Sequence, residues 1–452
     1  MLNYIWLALV LAAVVIGGLN NSLKAVADKA FEMAKFAVLD TALPLVGIMA
    51  LWLGIMRIAE RAGLVSLLAK ALRPLLRRIF PDVPAEHPAM GSMLMNIAAN
   101  MLGLGNAATP LGLRAMQDLE RLNPRPGTAT NAMCTFLAIN TSSVQLIPVT
   151  AIAILAANKS LNPTAIVGTA FFATLIAATT GVTMAKLCEN LPWFRLPAAD
   201  ATSSPALPES AASSAPAGAE KSPVQEAASL QPLRWWGVVV LTGFGLFAAW
   251  LFCRFAFPEW FGLTATAEQL RQGPFVRMVD ALSRISIPLL LSGFPLYAAL
   301  RRVKVYEEFV EGAKEGFNVA IRIVPYLVAI LVAIGMFRAA GGIDLLSGAL
   351  APVMLAVGFP PEMLPLVLMR PLSGSGTLGL FTELVKTHGP DSFLARLGGT
   401  IYGSTETTFY VLAVYFGSVS IKRTRHAVVA GLTADFVAVV ASVFICKLVF
   451  GS

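Results

Sequence analysis

Two clusters of polar residues interrupt apolar stretches of the chain and are the first candidates for chemistry. They comprise Asn140, Thr141, Ser142, Ser143 and Gln145 in the first cluster, and Ser404, Thr405, Glu406, Thr407 and Thr408 in the second. Because unpaired polar groups cost several kcal/mol each in hydrocarbon, we expect these side chains to face one another or a hydrated cavity. Asn140, Ser143, Glu406 and Thr407 are the predicted contacts for a solute or an ion. The alternative is that the clusters only join helices through hydrogen bonds.

A segment rich in glycine and interrupted by proline precedes each polar cluster. These segments are residues 95–112 (MNIAANMLGLGNAATPLG) and 368–381 (LMRPLSGSGTLGLF). Non-helical backbone is tolerated at membrane depth only where protein buries it or a cavity lies beside it. We therefore predict two re-entrant hairpins with broken tips, whose short half-helices point their N-termini at a solute. The tips are assigned to Gly103, Gly105, Asn106 and Thr109 in the first hairpin, and to Gly374, Ser375 and Gly376 in the second. The alternative is that glycine and proline only permit close helix packing.

Three ionisable residues lie deep in apolar surroundings, namely Arg370, Glu406 and Asp435. Charges inside a membrane are costly and point to function by default. We predict that Arg370 pairs with Glu406, and that it fixes an anionic group or keeps Glu406 ionised. A purely structural ion pair is the alternative. Asp435 is a candidate carrier of a proton or a cation.

The sequence lacks the usual patterns of metal sites and catalytic centres. His87, His388 and His426 are far apart, and the four cysteines form no C-x-x-C pair. No H-E-x-x-H motif, nucleophile elbow or convincing Ser–Lys dyad occurs. We therefore expect no metal, no cofactor and no enzymatic activity, and a membrane-embedded enzyme is the least favoured reading.

Composition defines the elements that must position these residues. Of 452 residues, 56% are hydrophobic and only 13% are charged, whereas about 25% are charged in an average soluble domain. So few charges cannot coat a soluble protein of this size. The net charge is 34 − 26 = +8. We predict an all-α polytopic membrane protein with the lipid bilayer as a partner and no nucleic-acid partner; a homo-oligomer stays an open alternative.

Apolar runs predict nine membrane spans, most of which hold close to the ~20 residues that a crossing needs, or more. They are expected at residues 4–19, 41–58, 128–156, 162–187, 233–257, 283–300, 323–337, 394–418 and 426–450. Residues 22–39 and 305–317 carry charged stripes and are expected to lie along the membrane surface. Residues 62–80 are basic and amphipathic, which suits a helix at the lipid headgroups or a merely solvated helix face.

Matching motifs divide the chain into two halves. Glu32-Met33-Ala34-Lys35 resembles Glu311-Gly312-Ala313-Lys314, and Gly63 through Pro74 resembles Gly341 through Pro352, offset by 341 − 63 = 278. Gly103 and Gly374 are offset by 271, and Asn140 and Ser404 by 264. Ala, Ser and Pro dominate residues 197–232, which we interpret as a flexible linker. We therefore expect membrane halves at 1–196 and 233–452, and the odd number of spans between the matching surface helices predicts inverted pseudo-repeats.

Several long motifs carry a resemblance to a known family. The first half, with FPDVPAEHPAMG, GLGNAATPLG and TFLAINTSSVQLIP, resembles spore maturation protein A. The second half, with YEEFVEGAKEGF, IVPYLVAILVAIGMFRAAGGID, RPLSGSG and GSTETTFYVLAVYFG, resembles spore maturation protein B. Both halves resemble a nucleoside-recognition or gate domain, which is similar to parts of concentrative nucleoside transporters. The hairpin of those transporters carries an acidic residue that residues 105–110 lack, so the resemblance supports the architecture more than a nucleoside substrate.

The resemblance implies a multi-pass protein of the bacterial inner membrane. Together with the paired polar breaks, it predicts a transporter that moves a small polar or charged solute through a site near the bilayer midplane, with a coupling cation as a further candidate partner. The alternative is a membrane scaffold that supports envelope or spore-core maturation without transport. A scaffold predicts polar clusters that bond only to each other, with no cavity.

Overall fold

The regular structure of this protein is helical, as its composition predicts. A computed structural model describes residues 2–103, 105–194, 233–263, 273–342, 345 and 358–451. Within these ranges there are 17 α-helices and one isolated β-bridge, between Thr128 and Arg423. The predicted linker and the repeat match that ends at Pro352 lie outside the described residues.

The helices are numbered here in chain order and vary from 6 to 35 residues. They are α1 (Leu2–Leu19), α2 (Leu23–Phe36), α3 (Leu43–Arg61), α4 (Leu64–Ile79), α5 (Pro88–Met101), α6 (Gly105–Glu120), α7 (Asn131–Ser142), α8 (Val149–Ala157), α9 (Ile166–Glu189), α10 (Trp235–Ala256), α11 (Pro274–Leu300), α12 (Val305–Ala339), α13 (Leu364–Met369), α14 (Gly374–His388), α15 (Phe393–Ser404), α16 (Thr408–Ser418) and α17 (Ala427–Phe450).

Four described helices are long and apolar enough to cross a membrane, namely α9, α10, α11 and α17. They cover the spans predicted at 162–187, 233–257, 283–300 and 426–450. Helices α10 and α17 also expose large apolar side chains such as Val239 and Phe436. Since water would penalise such surfaces, the composition and these helices together describe a membrane protein.

The predicted surface helices are not separate from the spans that follow them. A six-residue π-helical segment, Ala37–Ala42, joins α2 to α3 without interruption. Residues 305–317 likewise form the first part of α12, whose 35 residues extend for about 50 Å at ~1.5 Å per residue. The charged stripe of α12 is partly covered, because Glu308 contacts Arg57 at 3.0 Å and Arg61 at 3.3 Å on α3.

Helices α2 and α3 run antiparallel to α12. Gly335 packs against Met33, whereas Gly312 packs against Gly54, so the sequence order is opposite along the contact. The approach is close: a Cβ added at Gly312 would lie 2.4 Å from the Leu53 carbonyl oxygen. Met33 and Gly312 are matching positions of the repeat (312 − 33 = 279). Matching helices therefore face each other in opposite directions.

Helices α9 and α17 pair in the same way. Gly181 lies close to Ala434, and Ala173 packs with Ala441, which again is an antiparallel order. Both helices have 24 residues and begin 427 − 166 = 261 positions apart. Opposed orientation of matching helices is what inverted repeats produce.

Two predicted spans are each broken into two helices. Residues 143–148, here named break 1, separate α7 from α8, and residues 405–407, here named break 2, separate α15 from α16. Ser143 adopts φ = 39°, and Pro148 lacks a backbone N–H, so helical bonding cannot continue through break 1. The polar clusters predicted to interrupt the spans at 128–156 and 394–418 therefore lie at these two breaks.

Two helical hairpins precede the broken helices. Residues 102–103, here named tip 1, follow the end of α5, and Gly103 adopts φ = 75° there. Helix α6 begins at Gly105. Helices α13 and α14 meet at residues 370–373, here named tip 2. Both glycine-rich segments thus contain the helix interruptions predicted for them.

Loops of the first half are hydrogen-bonded to loops of the second half. The N–H of Ala129 donates to the Arg423 carbonyl at 2.9 Å, and Arg425 donates to the Ala129 carbonyl at 3.1 Å. In the other half, Asp391 accepts from the Ser160 hydroxyl at 2.7 Å and the Leu161 N–H at 2.9 Å. Each hairpin-to-break loop therefore contacts the loop that follows the other half's broken helix.

Candidate functional site

The two helix breaks meet inside the protein. The Glu406 N–H in break 2 donates to the Thr141 carbonyl, beside break 1, at 2.7 Å. Thr141 and Thr405 are buried, and Glu406 is half-buried. This bond satisfies backbone groups that an unbroken helix would have satisfied locally. It also brings the two polar clusters together, as their composition predicts.

Each break is hydrogen-bonded to the hairpin tip of its own half. The Leu146 N–H donates to the Met101 carbonyl at 3.0 Å, and the Phe409 N–H donates to the Pro371 carbonyl at 3.0 Å. At tip 2, a Cβ added at Gly374 would lie 3.0 Å from the Thr407 hydroxyl oxygen. The tips and breaks therefore form one continuous region of irregular backbone.

Side-chain amides dominate the first half of this region. Asn100 donates to the Asn140 side-chain oxygen at 2.9 Å, and the Tyr415 hydroxyl approaches the same oxygen at 3.4 Å. Asn96 donates to the Tyr415 hydroxyl at 3.3 Å and to the Ala108 carbonyl at 2.8 Å. Helix α16 of the second half thus completes the polar network of the first.

Arg370 binds backbone carbonyls instead of Glu406. Its guanidinium donates to the carbonyls of Tyr402, at 3.0 Å, and Thr405, and its Nε lies 3.2 Å from the Thr405 hydroxyl. It also lies over the Tyr402 ring, 4.8 Å from the centroid. Neither residue has an ion pair within 4.0 Å in the described part of the chain, so the predicted pair does not form. The carbonyls at the C-terminal end of α15 carry partial negative charge, and the Arg370 guanidinium binds them in place of the Glu406 carboxylate.

Glu406 and its neighbours face the junction of tip 2 and break 2. A Glu406 carboxylate oxygen lies 3.4 Å from the Thr407 N–H, and Thr407 is buried. Ser373 caps α14 by accepting from the Gly376 N–H at 3.0 Å, and its hydroxyl lies 3.4 Å from that of Ser375. The N-terminus of α14 therefore begins beside Thr407, the residue that follows Glu406.

Helices α9 and α17 support the breaks from matching positions. The Thr174 hydroxyl contacts the carbonyls of Ser142 at 2.8 Å and Ser143 at 2.7 Å in the first half. At the matching position, 174 + 261 = 435, the carboxylate of Asp435 accepts from the Thr408 hydroxyl at 2.6 Å. The Ser143 hydroxyl and the second Asp435 oxygen are buried and have no hydrogen-bond partner among the described residues. Both atoms could therefore accept a further ligand.

The structure places the predicted site residues in three groups. Those in the breaks and tips are Gly103, Ser143, Arg370, Glu406 and Thr407. Those in adjoining helix ends are Asn140 in α7, and Gly374, Ser375 and Gly376 in α14. Gly105 and Thr109 lie in the first part of α6. The side chain of Asn106 lies outside the described residues.

Sequence reasoning missed several contributors to this region. Asn96, Asn100, Thr174 and Tyr415 all bond to the site from helices that are mostly apolar. Asn96 and Asn100 lie four residues apart on α5, a spacing that puts both on one face of the helix and could have marked that face as polar. Thr174 and Tyr415 give no such signal, because the sequence does not tell which helix faces which. Among the described residues there is no cluster of three potential metal ligands.

Two regions of the chain match one family of known proteins. A family model described as "Gate: Nucleoside recognition" matches residues 42–158 and 320–422. Starts and ends of these regions are 320 − 42 = 278 and 422 − 158 = 264 positions apart, the offsets of the sequence repeat.

Two proteins of Bacillus subtilis (strain 168) are similar to the chain. It is 48% identical over 177 residues to spore maturation protein B, spanning 99% of that protein and 39% of this chain. It is 44% identical over 177 residues to spore maturation protein A, spanning 90% of that protein and 39% of this chain. No solved structure matches the chain.

Proposed function

Because this chain belongs to the family of the spore maturation proteins A and B, we propose that it is a transporter of the bacterial inner membrane. It recognises and moves a small polar or charged solute rather than transforming it chemically. Residues 1–196 form a spore maturation A-like half, residues 233–452 form a B-like half, and residues 197–232 link them. The site lies near the bilayer midplane, between tips 1 and 2 and breaks 1 and 2.

The meeting of the two breaks is the observation that carries this proposal. A helix that breaks inside a membrane exposes backbone donors and acceptors that lipid cannot satisfy. Here Glu406 and Thr141 bond across the breaks at 2.7 Å, and polar side chains surround that bond. Broken helices that meet at the interface of two repeats are the usual place for a transporter's substrate.

Inverted repeats supply the mechanism. Matching helices that run antiparallel can exchange roles, so that the site opens first to one side of the membrane and then to the other. Such alternation requires that the solute bind the two states with different affinity. The crossed loop contacts of Ala129 and Asp391 are candidates for the groups that rearrange.

The charges favour a solute with both polar and ionic groups. Asn140 and Ser143 supply neutral hydrogen-bonding groups on one side, and Glu406 supplies a carboxylate on the other. Arg370 acts by fixing the carbonyls of break 2. Asp435, with one buried oxygen free of protein partners, is the candidate for a coupling cation or proton.

A membrane scaffold is the second candidate, and one observation favours it. Arg370 and Asn140 are both bonded to protein groups, as a purely structural network would require. A scaffold needs no hydrated site between the breaks, whereas a transporter does. Water access to tip 2 therefore distinguishes the two functions.

Thiol labelling in intact vesicles tests water access without a known substrate. In a Cys253→Ser background, which removes the cysteine of the four that is not buried, Ser375→Cys is compared with Val440→Cys. Val440 is 52% exposed on α17 and faces lipid in this proposal. We expect a charged methanethiosulfonate to modify Ser375→Cys rapidly and Val440→Cys hardly at all. Equal, slow labelling of both variants would favour the scaffold.

Uptake measurements test the assigned residues. A metabolite comparison between deletion and wild-type cells identifies the solute, whose uptake is then measured in vesicles. Glu406→Gln and Asn140→Ala are expected to reduce uptake strongly. Glu311→Gln is the matched control, because that carboxylate is exposed and pairs with Lys314 at 2.6 Å, away from the breaks and tips. Unchanged uptake in both site variants would reject the assignment.

A further inference from the structure

A separate cavity lies between the basic helix α4 and the beginning of α5. It has a volume of about 640 Å³, within the ~300–1,000 Å³ typical of small-molecule sites. The end of α11 closes it through Tyr297 and Arg301. None of its lining residues belongs to the tips or breaks, so this cavity is distinct from the proposed transport site.

Positive charge predominates around the cavity. Lys70, Arg73 and Arg301 line it, against the single carboxylate of Glu86. Glu86 contacts Arg73 at 3.2 Å, but its side chain is 86% exposed, so water largely screens this pair. Arg301 is anchored by the Ala62 carbonyl at 2.9 Å. Lys70 and Arg73 therefore remain available to an anionic group at the cavity mouth.

The deeper wall of the cavity is apolar. Met90, Leu94 and Met95 line it and are almost fully buried. Beside the mouth, α4 exposes Leu67 by 53% and Leu75 by 54%, which suits a helix at the membrane interface. The cavity thus combines a cationic rim with an apolar interior that continues onto an exposed apolar edge.

We propose that this cavity binds an anionic phospholipid. The phosphate lies between Lys70 and Arg73, the glycerol region enters the cavity, and an acyl chain contacts Met90 and Leu94. The remaining chain follows the exposed edge at Leu67. Basic pockets between membrane helices are suited to such headgroups, because each cation near the surface adds about 1 kcal/mol of attraction to anionic lipid. This proposal does not depend on the transport function.

Native mass spectrometry of the full chain in detergent tests it. The protein is titrated with phosphatidylglycerol, phosphatidylethanolamine and glycerol 3-phosphate as separate probes. We expect preferential binding of phosphatidylglycerol. Lys70→Gln combined with Arg73→Gln should weaken that binding about 10- to 100-fold, the equivalent of ~1.4–2.8 kcal/mol. Arg78→Gln is the control, because Arg78 is exposed on the same helix and does not line the cavity.

Three results would overturn the proposal. Equal phosphatidylglycerol affinity in the double variant and in Arg78→Gln would exclude the rim charges. Equal affinity for phosphatidylethanolamine would show that the charge of the lipid is not recognised. Binding of glycerol 3-phosphate as tight as that of the lipid would indicate a soluble phosphate ligand. Lys70→Gln alone, with an unchanged unfolding temperature, separates lost binding from lost folding.

Discussion

Break 1 and break 2 share a scaffold but differ in charge. Around break 1 the polar groups are amides and hydroxyls, notably Asn140, Ser143 and Thr174. Around break 2, Arg370, Glu406 and Asp435 are all ionisable. The position that matches Arg370 by the tip offset, 370 − 271 = 99, is a buried alanine. The geometry is therefore common to both halves, whereas the charge belongs to the second.

This difference suggests separate tasks for the two halves. Burying a neutral amide or hydroxyl costs less than burying a charge, and the Asn140 and Thr174 side chains at break 1 bond to protein groups. Ionisable groups are retained at membrane depth only at considerable expense. We expect break 2 to set the charge of the solute and break 1 to fix its orientation. Substitutions at matching positions measure this asymmetry.

The largest effect is expected from Arg370→Met. It leaves the carbonyls of Tyr402 and Thr405 without their donor, and each such unsatisfied group costs about 1–3 kcal/mol. The unfolding temperature in detergent should fall clearly, and Arg370→Lys should restore part of it. Arg78→Met, at an exposed arginine, is the control. Equal falls in the unfolding temperature for Arg370→Met and Arg78→Met would contradict the assignment of a special charge to break 2.

An intermediate effect is expected from removing one hydroxyl in each half. Thr408→Val leaves the buried Asp435 carboxyl without its donor, at a cost of about 1–3 kcal/mol. Thr174→Val removes a hydroxyl that bonds only to carbonyls, at about 0.6 kcal/mol per bond. Denaturation of both variants in the same detergent provides the comparison. A larger loss in Thr174→Val would contradict the assignment of charge to the second half.

The smallest effect is expected from Asp391→Asn, in the loop between α14 and α15 of the second half, and it should depend on pH. Burial raises the pKa of Asp391, but the Leu161 N–H and the Ser160 hydroxyl lower it more, so the pKa lies below its usual value. A depressed pKa contributes stability above the unfolded value of about 3.9, and that stability disappears as pH falls through the folded value. Asp391→Asn should therefore lower the unfolding temperature at pH 7, and this difference from wild type should shrink as pH falls below about 3.9.

The matching loop of the first half provides the contrast. It is joined to its partner through the backbone, between Thr128 and Arg423. Asp82→Asn, in an exposed loop, is the control variant. A difference between wild type and Asp391→Asn that stays constant from pH 7 to pH 3 would show that the carboxylate adds no stability through its charge.

Local composition predicted part of this architecture, because clusters of glycine and proline favour interruptions of a helix. Residues 95–112 and 368–381 contain such interruptions, and tips 1 and 2 lie within them. Break 2 has no proline or glycine between Ser404 and Thr408. Its helix ends where Glu406 bonds to Thr141, a tertiary contact that no local pattern encodes.

The residue types also did not predict the partners of Arg370. An intramembrane arginine is expected to seek a carboxylate, and Glu406 was the nearest one in an apolar sequence. Backbone carbonyls at a helix end carry a comparable partial charge but leave no mark in the residue types. Tyr415 was not predicted for a related reason. Its hydroxyl bonds to the polar network of the first half, but its own helix belongs to the second half and is mostly apolar.

The hydrogen bonds that join loops of the two halves have a consequence for synthesis on the ribosome. Arg425 is separated by 296 residues from its partner Ala129. At about 5–20 residues per second, the earlier loop waits roughly 15–60 s for its partner. Until then the first half inserts with its loop unpaired and break 1 lacking Glu406. The window between insertion and completion is therefore when this protein is most exposed to proteolysis and most dependent on the cell's insertion machinery.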